Sequence, residues 1–138
     1  SAVLIIADQL VKLWIVNSFN LHDGMQVING IVSLLYVRNT GAAWGMFEGK
    51  MVFFYAITAV AVGTLLYLMF KSKLLLIAYS LILAGAVGNF IDRIRLGYVV
   101  DMFKFEFIDF PIFNVADICL TFGVIFLFYY VIFKEQSK

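Results

Sequence analysis

The sequence predicts a mainly α integral membrane protein: a four-transmembrane-helix bundle with a small β-sheet and a short interfacial segment outside it. Three observations predict this. Hydrophobic residues make up 64% of the 138 positions and charged residues only 14%, far from the balance of a soluble domain of this size. Long uncharged runs recur along the chain. Amide and ionisable side chains gather at the ends of those runs, where lipid penalises them. A chain of this length builds one compact unit, so residues 1–138 are read as a single domain. Ten basic and nine acidic residues leave a formal net charge of +1, too weak a field to recruit nucleic acid or another polyanion.

The first span is read at residues 1–17. Ala2 to Val16 provides only about 22 Å of helix against a hydrocarbon core of roughly 30 Å, so upstream residues are expected to complete it. The sequence opens at Ser1 already inside this apolar run and is expected to be trimmed at its start. A hairpin follows over 25–37, because Asn29-Gly30 suits the positive φ angles of a type I′ turn and β-branched residues flank it. The interfacial segment after it runs through Trp44 to about Glu48. Met51 to Phe70 is the clearest span. Lys71-Ser72-Lys73 makes a tight turn, and a third span is read over 74–91. Phe103-Lys104-Phe105-Glu106-Phe107 alternates with a period of two, predicting a strand over 103–109 with aromatics on one face and charges on the other. The fourth span, 112–133, starts beside the single proline, Pro111, where a missing N–H costs a helix least. Lys134 to Lys138 is its polar exit. Basic residues lie on both sides of this arrangement, so charge alone leaves its orientation open.

Ionisable groups at bilayer depth cost about 2.5–3.5 kcal/mol even on insertion scales, so each one needs a reason. Asp8 and Lys12 stand at i and i+4, a favourable pair on one helix face. They form either a plain internal ion pair or a brace for a polar pocket. Asn39-Thr40-Gly41-Ala42-Ala43-Trp44 reads as an interfacial anchor or as a movable flap over a buried site, with Trp44 as its aromatic. Gly85, Gly88 and Asp92 share a helix face, as do Gly85 and Asn89, so a neighbouring helix can approach there. Close packing explains the glycines; it does not explain Asn89, Asp92 and Arg93 together. Asp101 follows an apolar stretch. Asn114 and Asp117, at i and i+3, point to one side of the fourth span, and a carboxylate at that position also gains from the helix dipole.

One cysteine, Cys119, and one histidine, His22, leave no typical zinc set, and neither a Gly-x-Ser-x-Gly motif nor a Cys–His pairing close in sequence is present. The blocks Asp8-Gln9 with Lys12, Asn39 to Ala43, Gly88-Asn89 with Asp92-Arg93, Val99-Val100-Asp101, and Phe113-Asn114-Val115-Ala116-Asp117 closely resemble, in order and spacing, the lipoprotein signal peptidase (signal peptidase II) family. That resemblance spans nearly the whole chain. It implies that Asp101 and Asp117 are a catalytic dyad. It further implies that Asn39, Asn89, Arg93 and Asn114 line or support the pocket, with Gly88 and Ala116 in the same blocks and Asp8 and Lys12 around them. It implies a diacylglyceryl-modified prolipoprotein as substrate, cut just before the modified cysteine, and a monomer among membrane lipids in the bacterial cytoplasmic membrane. The sheet and active site would face its outer side, with no cofactor and no metal. Met102 stands where the family usually has an aromatic residue.

Two carboxylates around one water titrate as a coupled pair. Asp117, at a helix start, is expected to be the more acidic, and Asp101 to hold the shared proton. Two other classes stay open on the residues alone. Buried carboxylates on glycine-bearing helices also serve proton-coupled transporters, although no internal repeat favours this. A lipid-binding assembly protein would use the same polar groups only to specify packing.

Overall fold

The structure, a computed structural model, describes residues 1–41, 46–71 and 75–133. Among the described residues, helices α1 (Ala2–Ser18), α2 (Met51–Lys71), α3 (Leu76–Leu96) and α4 (Val115–Phe133) and strands β1 (Gly24–Ile28), β2 (Val32–Asn39) and β3 (Val99–Phe105) follow in the order α1-β1-β2-α2-α3-β3-α4. The strands form one antiparallel sheet in the order β1-β2-β3. Helix α3 is the centre of the bundle, touching α1, α2, α4 and β3. Trp44, Ala42 and Ala43 of the interfacial segment, Ser72 and Lys73 of the predicted turn, and the exit from Lys134 lie outside the described residues.

The bundle is apolar outside and polar within. Val52, Val60, Phe70 and Phe128 are among many exposed large apolar side chains, while Asp8, Lys12, Asn89, Asp92, Asp101 and Asn114 are buried. Water would not tolerate the first set, and lipid would not tolerate the second unpaired. Among the described residues, α2, α3 and α4 are long and apolar enough to cross a membrane. Helix α1, with 17 residues, reaches only about 26 Å.

Four expectations need correction. Helix α3 runs to Leu96 rather than stopping at Ile91. The charges of Asp92 and Arg93 do not end it, because both find partners inside the protein; Gly97 does. It adopts the left-handed conformation (φ 76°) and its N–H donates to the Arg93 carbonyl at 3.1 Å, the glycine stop that β-carbon sterics reserve for this residue. The strand is 99–105 rather than 103–109, so Asp101 lies within β3 and not in a loop. Pairing with β2 decides this, through Asn39↔Val99, Val37↔Asp101 and Leu34↔Phe103. Helix α4 begins at Val115, three residues later than read, because Phe113 bridges back to Phe103 and Asn114 caps the helix. Finally, Gly30 has a positive φ of 71° but Asn29 does not, so the hairpin turn is not type I′, which needs both. Met102 is fully buried in a cluster with Ile15, Leu34, Tyr36 and Val100, so the sheet floor is filled at that position.

Candidate active site

Each acidic side chain of the site is positioned by a local backbone decision. At α4 the Asp117 N–H donates to Asn114 Oδ1 at 3.0 Å, and the Asn114 N–H donates to Asp117 Oδ2 at 3.1 Å. This reciprocal pair is a capping box, which satisfies two N–H groups that a helix start leaves orphaned. A third is met from α1, where Asp8 Oδ1 accepts from the Ala116 N–H at 2.9 Å. At β3 the strand register puts Asp101 diagonal to Asn39, whose Nδ2 donates to Asp101 Oδ2 at 3.0 Å. The register shifts between Leu34 and Val37, and such bulges commonly re-aim a side chain beside a site.

Two asparagines join the carboxylates. Asn114 Nδ2 donates to Asp101 Oδ1 at 2.6 Å and to Asn89 Oδ1 at 3.1 Å, while Asn89 Nδ2 donates to Asp117 Oδ1 at 2.8 Å. All four carboxylate oxygens of Asp101 and Asp117 thus accept from neutral amides. Burial first, and the charge of Asp117 second, push the Asp101 carboxyl up to about 7, against the pull of the Asn39 and Asn114 amides.

Behind this bridge lies the charge cluster that the Asp8–Lys12 spacing anticipated. Lys12 Nζ contacts Asp8 Oδ2 at 2.9 Å and Asp92 Oδ2 at 3.1 Å and donates to Asn89 Oδ1 at 3.0 Å. Lys12 thereby orients the Asn89 amide, leaving its NH2 for Asp117. Asp92 Oδ2 also accepts from the Val100 N–H at 3.0 Å, tying the start of β3 to α3. Gly88 lets this happen: a β-carbon there would lie 2.8 Å from Asp8 Oδ2 and 3.1 Å from the Ala116 β-carbon.

Gln9 and Asp92, to which their spacing in the chain assigns no role, also support the site. Gln9 Nε2 donates to Asp92 Oδ1 at 2.9 Å and to the Gly88 carbonyl at 3.2 Å. Their signal was present as polar neighbours of Asp8 and Asn89. Residues of α2 gave none, since Phe54, Ile57 and Ala61 lie in a long uncharged run.

Both carboxylates open into a cavity of about 1000 Å³ between α2, α3, α4 and the sheet, lined chiefly by apolar side chains. Arg93 stands on its wall, its guanidinium 4.4 Å from the Phe54 ring centre and its Nη2 donating to the Gly41 carbonyl at 3.1 Å. Its Nε is buried with no hydrogen-bond partner among the described residues. Asn39, Asn89, Arg93, Asp101 and Asp117 all line this cavity, whereas Asp8, Lys12, Gly88, Asn114 and Ala116 stand behind it.

The family described as signal peptidase (SPase) II matches residues 1–133. The chain belongs to the signal peptidase II family. The lipoprotein signal peptidase of Enterococcus faecalis is 49% identical over 141 residues, covering 99% of this chain and 88% of that protein. That of Latilactobacillus sakei is 51% identical over 138 residues, covering 97% and 91%. A bacterial membrane enzyme solved by the in meso method at 2.3 Å resolution superposes with a TM-score of 0.94 at 39% identity, over 99% of this chain and 87% of that one. A second such structure, at 1.9 Å, gives 0.89 at 39% identity over 96% and 90%. As a signal peptidase II, the chain is a protease, and its apolar helices make it a multi-pass membrane protein.

Proposed function

We propose that this protein removes the signal peptide from diacylglyceryl-modified bacterial prolipoproteins, cutting just before the modified cysteine with water activated between Asp101 and Asp117. The observation behind this reading is the pair of carboxylates, bridged by Asn114 and Asn89, at the edge of a large apolar cavity. Acyl chains suit such a cavity, and a peptide bond beside the dyad suits its polar rim.

The dyad holds one proton between two acids. Asp101, whose carboxyl is pushed up to about 7, keeps it, and Asp117 stays ionised at the capped helix start. Asp117 takes a proton from water as the oxygen attacks the scissile carbonyl. Asp101 donates a hydrogen bond to the developing oxyanion and then supplies the proton that the leaving amine needs. No covalent enzyme intermediate forms. Arg93 lines the cavity, and its guanidinium is the cationic donor there that suits a substrate carbonyl. Asn39 and Asn114 keep Asp101 in place, while Lys12 and Asp8 brace the asparagine bridge and the start of α4.

In this reading a single domain spans the cytoplasmic membrane four times as a monomer, with α1 as the fourth span and the sheet and dyad near the outer face. Cleavage of a diacylglyceryl-modified precursor in detergent tests it. Asp101→Asn and Asp117→Asn should each lower turnover by at least about 10²–10⁴-fold while the protein stays folded. Retained turnover in either variant would remove the dyad.

A further inference from the structure

Apart from the two carboxylates, Asn39, Asn89 and Arg93, the polar side chains lining the large cavity are Thr58 of α2 and Thr121 of α4. Neither is buried, and neither hydroxyl has a hydrogen-bond partner among the described residues. Thr64, also on α2, shows the usual habit of a threonine in a membrane helix: its hydroxyl donates to the Val60 carbonyl one turn back at 2.9 Å. Thr58 and Thr121 make no such bond to the carbonyls of Phe54 and Asp117. A free hydroxyl in an apolar chamber forgoes the hydrogen bonds that water would give it, so the two point to a polar partner brought by the ligand.

The two positions are matched in depth. Helices α2 and α4 both start at the end of the bundle that carries the sheet. Just before α2 the Gly49 N–H donates to the Thr40 carbonyl, and just before α4 Phe113 bridges to Phe103 of β3. Thr58 then lies about 10 Å down α2 and Thr121 about 9 Å down α4. Thr121 is one turn, about 6 Å, below Asp117 on the same helix face. Thr58 is one turn below Phe54, whose ring carries the Arg93 guanidinium. Helix α3 contributes Ala86 to the same cavity, a turn below Asn89, so its wall there holds no bulky side chain.

The substrate carries acceptors at a matching distance. About seven covalent bonds, a reach of roughly 6–9 Å, separate the nitrogen of the modified cysteine from the nearer ester carbonyl of its diacylglyceryl group. With that nitrogen at the dyad, the ester groups reach the depth of the two threonines and the acyl chains continue past Ala61. An ester oxygen accepts and cannot donate, and a threonine hydroxyl can donate to it. We propose that Thr58 and Thr121 form the subsite for the glyceryl esters, each hydroxyl donating to one ester carbonyl oxygen. The subsite rests on the prolipoprotein and dyad reading above. It gives the enzyme a means of selecting the lipid-modified precursor over an apolar peptide of similar size, because a group that cannot accept leaves the hydroxyls unpaired.

The test uses the full chain in detergent and two precursors with the same peptide and the same chain length, one with ester-linked acyl chains and one with ether-linked alkyl chains that lack the carbonyl oxygens. The wild-type KM should be about three- to tenfold lower for the ester precursor. Thr58→Val and Thr121→Val should each raise that KM by about two- to fivefold with kcat little changed. Cleavage of the ether precursor should be far less affected, which also shows that the variants fold, and the double variant should treat both precursors alike. Thr58→Ser and Thr121→Ser should restore the preference. Equal losses on both precursors, or a wild-type enzyme indifferent to the ester, would overturn the subsite. Failure of the dyad would show separately, as cleavage of the ester precursor by Asp101→Asn.

Discussion

At the scale of single residues, Asp101 illustrates the tension between stability and use. It is 3% exposed, and its carboxylate oxygens receive only amide donors. Burial, then the charge of Asp117, raise the carboxyl from the ordinary 3.8 to about 7. The sign of the resulting pH dependence follows. Below 3.8 the acid is protonated in both folded and unfolded chains, and its contribution is complete. Between that value and about 7 the unfolded chain ionises while the folded one resists, so stability falls as pH rises. Wild-type protein should therefore lose more thermal stability between pH 5 and pH 8 than Asp101→Asn does, by at least about 2 °C in a melting series. Parallel pH profiles would show that Asp101 is not the strained acid. Lys12 shows the opposite economy: it is buried, yet it has Asp8 and Asp92 as partners and the Asn89 carbonyl oxygen as an acceptor, so its charge is compensated where Asp101's is not.

At the scale of elements, the decisive contact is α3 against α4. It brings Asn89 within reach of both Asn114 and Asp117, and it depends on small residues at the crossing. A β-carbon on Gly85 would lie 2.3 Å from the Ala116 carbonyl oxygen and 2.6 Å from Leu120. Backbone cannot yield as a side-chain tip can, so Gly85→Ala must push the start of α4 away from α3. The expected cost is about 1–3 kcal/mol, read as a lower melting temperature together with lost cleavage, because the capping box moves with the helix. Gly63 in α2 is the control. Nothing lies within 4 Å of a β-carbon there, and Gly63→Ala should be neutral or stabilising by up to about 1 kcal/mol, since alanine is the better helix former. Equal behaviour of the two variants would mean that the crossing is not closely packed.

At the scale of the whole molecule, the apolar exterior and polar interior make lipid the solvent, and the proposed four-span topology makes a directional claim. Val27 on β1 and Lys71 at the end of α2 are both exposed and should face opposite sides of the membrane. In intact cells a membrane-impermeant maleimide is expected to label Val27→Cys but to reach Lys71→Cys only after permeabilisation. The native Cys119 is buried and should contribute little background. The reverse pattern would invert the topology, and labelling of both from outside would break it.

Much of this was legible in the chain and some was not, for identifiable reasons. The uncharged runs determined that α2, α3 and α4 exist and what solvent they face, because a helix that must cross lipid needs that length of apolar surface. Polar residues within or beside such runs determined where a site had to be, since Asp8, Lys12, Asn89 and Asp117 have no favourable place in lipid. Gly97 even marked the true end of α3, although the charge of Asp92 invited an earlier stop. Only the tertiary structure decided that Asp101 sits in a strand, because Val99, Val100 and Met102 are all buried and the period of two vanishes. It alone decided which faces of α2 and α4 line the cavity. Lipid and protein interior accept the same side chains, so an entirely apolar run identifies a span without saying which of its neighbours it will meet.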